Sequence, residues 1–199
     1  MLDNSEIEQL SDQELVKLTL VDQGCFAYLI MRYRAKLLNY IRRITNVRDE
    51  EAEDILQEVF LKTYLNLNSF KPSLKFSSWI YAIAHNQVIS NFRKIKARPE
   101  GSSVTIDEGL AETLAADLNL EKAIDQKLLA QKIDKALQAL PAKYREILIL
   151  KYLEEKNYQE MSDIIKKPMG TVASMLNKAR SEFKKVILET KILRYDEWS

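Results

Sequence analysis

Glycine and proline, the residues that most readily end a regular element, occur only four times each in this chain of 199 residues. The four prolines, Pro72, Pro99, Pro141 and Pro168, all stand where an apolar repeat of helical period stops or starts. Proline fixes φ and has no N–H to donate, so it is tolerated at helix ends and not inside. Few turn residues leave few places where a strand can reverse, and the chain is expected to be all-α. At 46% apolar and 30% charged residues it can bury a core and is neither disordered nor membranous in composition. The length is long for one small core and natural for two.

The helical pattern runs from about Asp12 to Ala97, breaks at Pro99-Glu100-Gly101-Ser102-Ser103 and resumes near Leu120. We therefore expect a first domain over 1–97, a flexible acidic linker over 98–119 and a second domain over 120–199. No internal repeat relates the two halves. A single cysteine, Cys25, cannot close an intramolecular disulfide, and with one histidine, His85, it cannot build a zinc site. Both facts fit a reducing cytoplasm. No stretch has the length and apolarity of a membrane span, and Met1–Leu15 lacks the basic and apolar regions of an export signal.

A formal net charge of +1 hides strong segregation. From Lys71 to Arg98 the ionised residues are Lys71, Lys75, Arg93, Lys94, Lys96 and Arg98, with no acid among them. A second basic block holds Lys166, Lys167, Lys178, Arg180, Lys184 and Lys185 against Glu182. Acids gather over Asp49–Glu58 and again from Glu100 to Asp125. Basic patches suit phosphates; the acidic ones call for another partner.

The stretch Asp49–Leu67 carries Ala52, Ile55, Leu56, Val59, Phe60, Thr63 and Leu67 at spacings of three and four, one stripe of a helix. Opposite lie Glu50, Asp54, Gln57, Glu58 and Leu61. A leucine amid acids suits a protein partner. A solvated acidic face is the alternative, and a magnesium site through Glu50, Glu53, Asp54 and Glu58 ranks third, because no second carboxylate pair lies between Glu58 and Glu100. A further helix is expected from Ser77 or Ser78, either able to cap it. Its Trp79, Ile80, Ile83, Ala84, Val88, Phe92 and Ile95 cover more than one stripe, as in a helix buried on several sides. The preceding loop, Phe70-Lys71-Pro72-Ser73-Leu74-Lys75-Phe76, sets aromatics beside lysines, which suits unstacked bases; core burial of Phe76 and Trp79 is the competing reading. His85 has no adjacent nucleophile or second ligand and is assigned a structural or DNA-facing role, and Cys25 that of a small buried apolar residue.

In the second half, Pro141 fits the first turn of a helix continued by Ile147, Leu148 and Leu150–Leu153. Asn157-Tyr158-Gln159-Glu160 reads as a capping box opening a short helix to about Ile165. Lys166-Lys167-Pro168-Met169 breaks it, and from Gly170 a longer helix turns Val172, Leu176, Ala179, Phe183 and Val186 inward. Helix, tight turn and longer helix form a helix-turn-helix. The polar face of its last helix, Ser174, Asn177, Lys178, Ser181 and Lys185 with Thr171 at the start, can reach base edges and phosphates.

Three segments together, Asp49–Leu61, Phe76–Asn86 and Leu140-Pro141 through Gly170-Thr171-Val172, resemble the extracytoplasmic-function group of bacterial sigma factors in order and spacing along nearly the whole chain. The resemblance implies a σ2-like helical bundle, an extended linker and a σ4-like helix-turn-helix domain, without catalysis or cofactor. It implies that Asp54, Gln57, Glu58 and Leu61 dock on the clamp of core RNA polymerase. Ser73, Leu74, Lys75 and Phe76, with Asn86, Asn91, Arg93 and Lys94, would capture and open the −10 promoter element. Thr171, Ser174, Asn177, Lys178, Arg180 and Ser181 would read the −35 element, and an anti-sigma protein would restrain the whole. Relatives often carry basic residues near Ala173 and Met175 and glycine near Lys166, so weaker, less salt-sensitive −35 contacts and a looser turn are expected here. A helix-turn-helix regulator acting without polymerase is the second reading, and a metal-dependent nucleotide hydrolase the third.

Overall fold

The computed structural model describes residues 9–96 and 132–190, and every regular element among them is helical. The expected linker, 98–119, lies outside the described residues. The first unit holds, among the described residues, α1 (Asp12–Val21), α2 (Phe26–Thr45), α3 (Asp49–Leu65) and α4 (Phe76–Lys96). The second unit holds α5, described over 132–138, then α6 (Ala142–Leu148), α7 (Tyr158–Ile165) and α8 (Met169–Thr190). No described helix is long and apolar enough to cross a membrane.

Local chemistry sets the ends of these helices. Ser11 and Glu14 close a capping box on α1, Ser11 N–H donating to Glu14 Oε2 at 2.8 Å. Helix α2 stops at Asn46, in the left-handed region at φ 57°, which asparagine tolerates better than most residues. Asp49, Glu50 and Glu51 put negative charge on the first turn of α3, where the helix dipole favours it. The buried stripe of α3 is the expected one, Ala52 through Thr63; Leu67 is also buried, but from a 3-10 turn, Leu67–Ser69, that follows the helix.

Helix α4 begins before both serines. The Phe76 ring, 1% exposed, lies within 5.5 to 5.7 Å of Tyr33, Phe70 and Trp79, and this cluster fixes the backbone before Ser77 is reached. Trp79 N–H then donates to Lys75 O at 3.1 Å, so neither Ser77 nor Ser78 stands at the cap, and Ser78 Oγ is buried without a partner. Along its length α4 gives Ile80, Ala84 and Val88 to the core and packs on α2, α3 and α7. A helix with more than one apolar stripe thus meets neighbours on more than one side.

Pro141 caps α6 one position ahead of the expected first turn. Beyond Leu148 the backbone widens into a π-helical turn, Ile149–Leu153, which buries Ile149 and Leu150 but leaves Tyr152 and Leu153 exposed. The apolar run is therefore only half inward. The capping box of α7 is the expected one: Glu160 N–H donates to Asn157 Oδ1 at 2.9 Å and Asn157 N–H to Glu160 Oε2 at 2.8 Å. Lys166 ends α7 at φ 54°, a left-handed turn position where a β-carbon is strained. Helix α8 starts at Met169 and buries Val172, Leu176 and Ala179, as read; Phe183 and Val186 are half-buried.

Two outcomes follow from these caps. Replacing Lys166 by glycine removes the strain at φ 54° but frees the unfolded chain, so thermal denaturation should show a net gain of up to about 1 kcal/mol. Burial raises the Glu160 carboxyl pKa, but hydrogen bonds from Lys75 and Asn157 and the charges of Lys75 and Lys156 outweigh it and leave it below 4.5. A depressed carboxyl pKa stabilises the fold above its unfolded value and loses that contribution as pH falls through the folded value. Glu160→Gln keeps the box and loses the charge. It should be less stable than wild type at pH 7, and the gap, followed by denaturant titration, should shrink below pH 4.5.

Candidate nucleic-acid interface

On α3, Asp54, Gln57, Glu58 and Leu61 are all exposed and share one side of the helix, opposite the stripe that holds α3 in the bundle. Leu65, one turn beyond Leu61 and 66% exposed, extends the same line. Its signal was the i, i+4 spacing from Leu61, hidden by its neighbour Leu67, which belongs to the core. Two bare leucines flanked by carboxylates make a surface that water solvates poorly at its centre. Glu53 turns aside to accept from Arg34 at 2.8 Å, and among the described residues no three His, Cys, Asp or Glu side chains converge on a metal position.

The loop ahead of α4 is tied at its base. Gln13 Nε2 donates to Pro72 O at 2.9 Å and Leu74 N–H to Lys71 O at 2.9 Å. Ser73 and Lys75 are exposed and Leu74 leans on the core. Phe76 differs from the expected base-stacking residue: its ring is spent inside the aromatic cluster, so it anchors the loop and presents no face to a base. On α4, Asn86 and Arg93 are exposed seven residues apart, on one line of the helix; Asn91, half-buried, lies roughly 140° round. Lys94 continues the helix, its side chain outside the described residues.

On α8, Thr171, Ser174, Asn177, Lys178, Ser181 and Lys185 are exposed along one continuous face. Ser174 Oγ donates back to Thr171 O at 2.9 Å. Arg180 stands off this face, its Nε–H donating to Tyr152 Oη at 2.7 Å while the guanidinium lies against the Tyr152 ring. Ala173 and Met175 add no charge.

The two units meet along a polar seam that sequence reading did not anticipate. Tyr40 Oη and His85 Nδ1–H both donate to Glu146 Oε1, each at 2.6 Å. Tyr81 Oη donates to Glu154 Oε2 at 2.5 Å, and Arg43 Nη1 stands 4.0 Å from Glu154 Oε1. Burial pushes both phenols well above their ordinary pKa, reinforced by these carboxylates, so they remain donors. Arg145, its own pKa lowered by burial, spreads its guanidinium over Leu137, Gln138 and Leu140 carbonyls and reaches Ile44 O across the seam at 3.4 Å. Lys75 Nζ pairs with Glu160 Oε1 at 2.9 Å. His85 is accordingly structural. Cys25 is half-buried rather than buried, because it closes a 3-10 turn at the start of α2; burial and Asp22 raise its thiol pKa.

Comparison with known proteins assigns this arrangement. Residues 29–98 match the Sigma-70 region 2 family and residues 130–183 the Sigma-70 region 4 family. The chain is 33% identical to the ECF RNA polymerase sigma factor SigW of Bacillus subtilis, over 90% of this chain and 97% of that one. It is 32% identical to the ECF RNA polymerase sigma-E factor of Escherichia coli, over 87% and 92%. Among solved structures it is similar in fold to CnrH in complex with the cytosolic domain of CnrY, with a TM-score of 0.64 and 17% identity over 88% of this chain and 96% of that chain. Similar too is RpoE in complex with the anti-sigma factor NepR from Bartonella quintana, with a TM-score of 0.59 and 20% identity over 81% and 96%. Neither a free-standing regulator nor a nucleotide hydrolase accounts for both regions in this order. With region 2 on one helical unit, region 4 on the other and relatives above 30% identity over almost their whole length, the chain belongs to the extracytoplasmic-function sigma factors of the sigma-70 family, non-catalytic subunits that direct RNA polymerase to promoters.

Proposed function

We propose that this sigma factor works through three contacts on a chain divided as 1–97, 98–119 and 120–199. Asp54, Gln57, Glu58, Leu61 and the neighbouring Leu65 dock on core RNA polymerase. Ser73, Leu74 and Lys75, with Asn86, Asn91, Arg93 and Lys94 on α4, capture the −10 element, while Phe76 holds the loop from inside. Thr171, Ser174, Asn177, Lys178 and Ser181 read the −35 element in the major groove, and Arg180 supports them from beside Tyr152. Unstacking a base takes a few kcal/mol, which the loop and the basic end of α4 must offset.

The observation that carries this reading is the exposed leucine pair inside an acidic face on α3. A module that only bound DNA would gain nothing from acids there, since they repel phosphate. Two proteins of similar fold were solved with CnrY and with the anti-sigma factor NepR, which supports restraint of this chain by an anti-sigma factor in the cytoplasm.

Replacing Asp54 and Leu61 together by alanine should abolish co-purification with core polymerase while the helical circular dichroism is unchanged; undiminished association would refute the docking role. Lys178→Ala tests the −35 face. Promoter binding should weaken, and the slope of log affinity against log salt should fall by about one, as for the loss of one phosphate contact.

A further inference from the structure

Arg180 is held in place without being neutralised. Arg32, Arg34, Arg42, Arg43 and Arg48 each lie within 4.0 Å of a carboxylate oxygen. Among the described residues Arg180 meets only Tyr152, whose hydroxyl accepts from Nε–H at 2.7 Å and whose ring centroid is 5.7 Å from the guanidinium carbon. A phenol and an aromatic face orient a guanidinium but leave its charge whole. Its Nη1 and Nη2 groups donate to no described residue, and Tyr152 Oη, used here as an acceptor, keeps a proton of its own to give. Both side chains are exposed, Tyr152 at 53%.

Two elements bring this pair together beside the recognition helix. Tyr152 belongs to the π-helical turn Ile149–Leu153, whose wider spiral sends Ile149 and Leu150 inward and Tyr152 out toward α8. Turns of this kind are frequent at functional sites. On α8 Arg180 lies roughly 120° round from the centre of the face that carries Thr171, Ser174, Lys178 and Ser181, with exposed Lys184 between. A helix with its side chains is about 10–12 Å across and the major groove about 12 Å wide, so a helix that turns its polar face to base edges sets its flanks against the phosphate walls. Arg180 and Tyr152 stand on one such flank. Ala173, seven residues before Arg180 on the same line, brings no charge there.

We propose that Arg180 and Tyr152 form a phosphate clamp beside the −35 recognition face. Nη1 and Nη2 of Arg180 donate side by side to two oxygens of one backbone phosphate, while Tyr152 fixes the guanidinium plane and adds its hydroxyl as a third donor. The clamp deepens the −35 reading given above and rests on it. It reads no base; it sets the register in which Asn177, Lys178 and Ser181 meet base edges. Because the guanidinium is already held before DNA arrives, it has little side-chain freedom left to lose on binding.

The test uses the full chain with core polymerase, titrated over a range of salt onto a promoter that the holoenzyme transcribes. Arg180→Ala should weaken binding about tenfold and lower the slope of log affinity against log salt by about one. Arg180→Lys should keep the slope but lose affinity, because an ammonium cannot make the paired contact. Tyr152→Phe should cost about threefold, with the slope unchanged. Duplexes in which one −35 phosphate at a time is replaced by a neutral methylphosphonate locate the contact: one replacement should weaken the wild-type complex and leave the Arg180→Ala complex unaffected. A pair that only braces α8 against the turn would lower the melting temperature and move neither the slope nor the scan, and that result would overturn the clamp. Should Arg180→Ala lose helical signal, Arg180→Gln keeps the stem without the charge and is judged by the same two readouts. Lys178→Ala separates the underlying reading: if it weakens binding while the Arg180 variants do not, the clamp alone fails, and if it too has no effect, the −35 assignment fails and the clamp with it.

Discussion

Helix α4 has to be covered on more than one side. Ile80, Ala84 and Val88 belong to the core it shares with α2 and α3, and Phe76 closes one end of that core with Tyr33, Phe70 and Trp79. Tyr81 and His85 face away from that core, and the second unit covers them with Glu154 and Glu146. Bare, this side would expose a phenol and an imidazole, which water accepts. Uncovering Ile80 or Ala84 would strip a core. The helix therefore packs on one side against its own unit and on another against α7 of the second unit.

Half-buried carboxylates give that side its character. Moving an ionised carboxylate out of water costs several kcal/mol, and hydrogen bonds from protein donors offset much of it without adding a large net surplus. Glu146 receives two such donors and Glu154 one, with Arg43 more distant. Their balance differs from the apolar interior of either unit, where exposure of each Leu or Ile side chain costs about 1.5 to 3 kcal/mol. Segregation of charge then has a structural reason as well as a functional one: acids on α3 and on the seam stay apart from the basic loop and from the polar face of α8, except where Glu160 meets Lys75.

How much of this was legible in the sequence depended on the range of the interaction. Period and caps are local, so the α3 stripe, the Asn157-Glu160 box, the end of α7 at Ile165 and the inward face of α8 could be read directly. Tertiary contact overrode local preference at Phe76, whose burial starts α4 ahead of two serines well suited to cap it, and at Leu150–Leu153, where a π-helical turn rotates half the run outward. The exposed residues of α3 and α8 followed from the helical period because everything opposite them is core. Leu65 was missed because two leucines two residues apart compete for one face and only packing decides between them. Arg180 falls beside Tyr152, 28 residues away, a pairing no periodicity encodes.

The seam lay beyond local reading altogether, since Tyr40 and Glu146 are 106 residues apart and His85 and Glu146 61 apart. Yet the chain contains its trace. A tyrosine and a histidine on a helix otherwise apolar on several sides need hydrogen-bond partners wherever they are covered, and nothing nearby in sequence supplies an acid, for none lies between Glu58 and Glu100. The partners come from the other unit, Glu154 for Tyr81 and Glu146 for His85. The same absence of acids that keeps the stretch from Lys71 to Arg98 attractive to phosphate also makes α4 dependent on carboxylates from α6 and the turn after it. A helix without acids of its own thus draws its hydrogen-bond acceptors from Glu146 and Glu154 of the other unit.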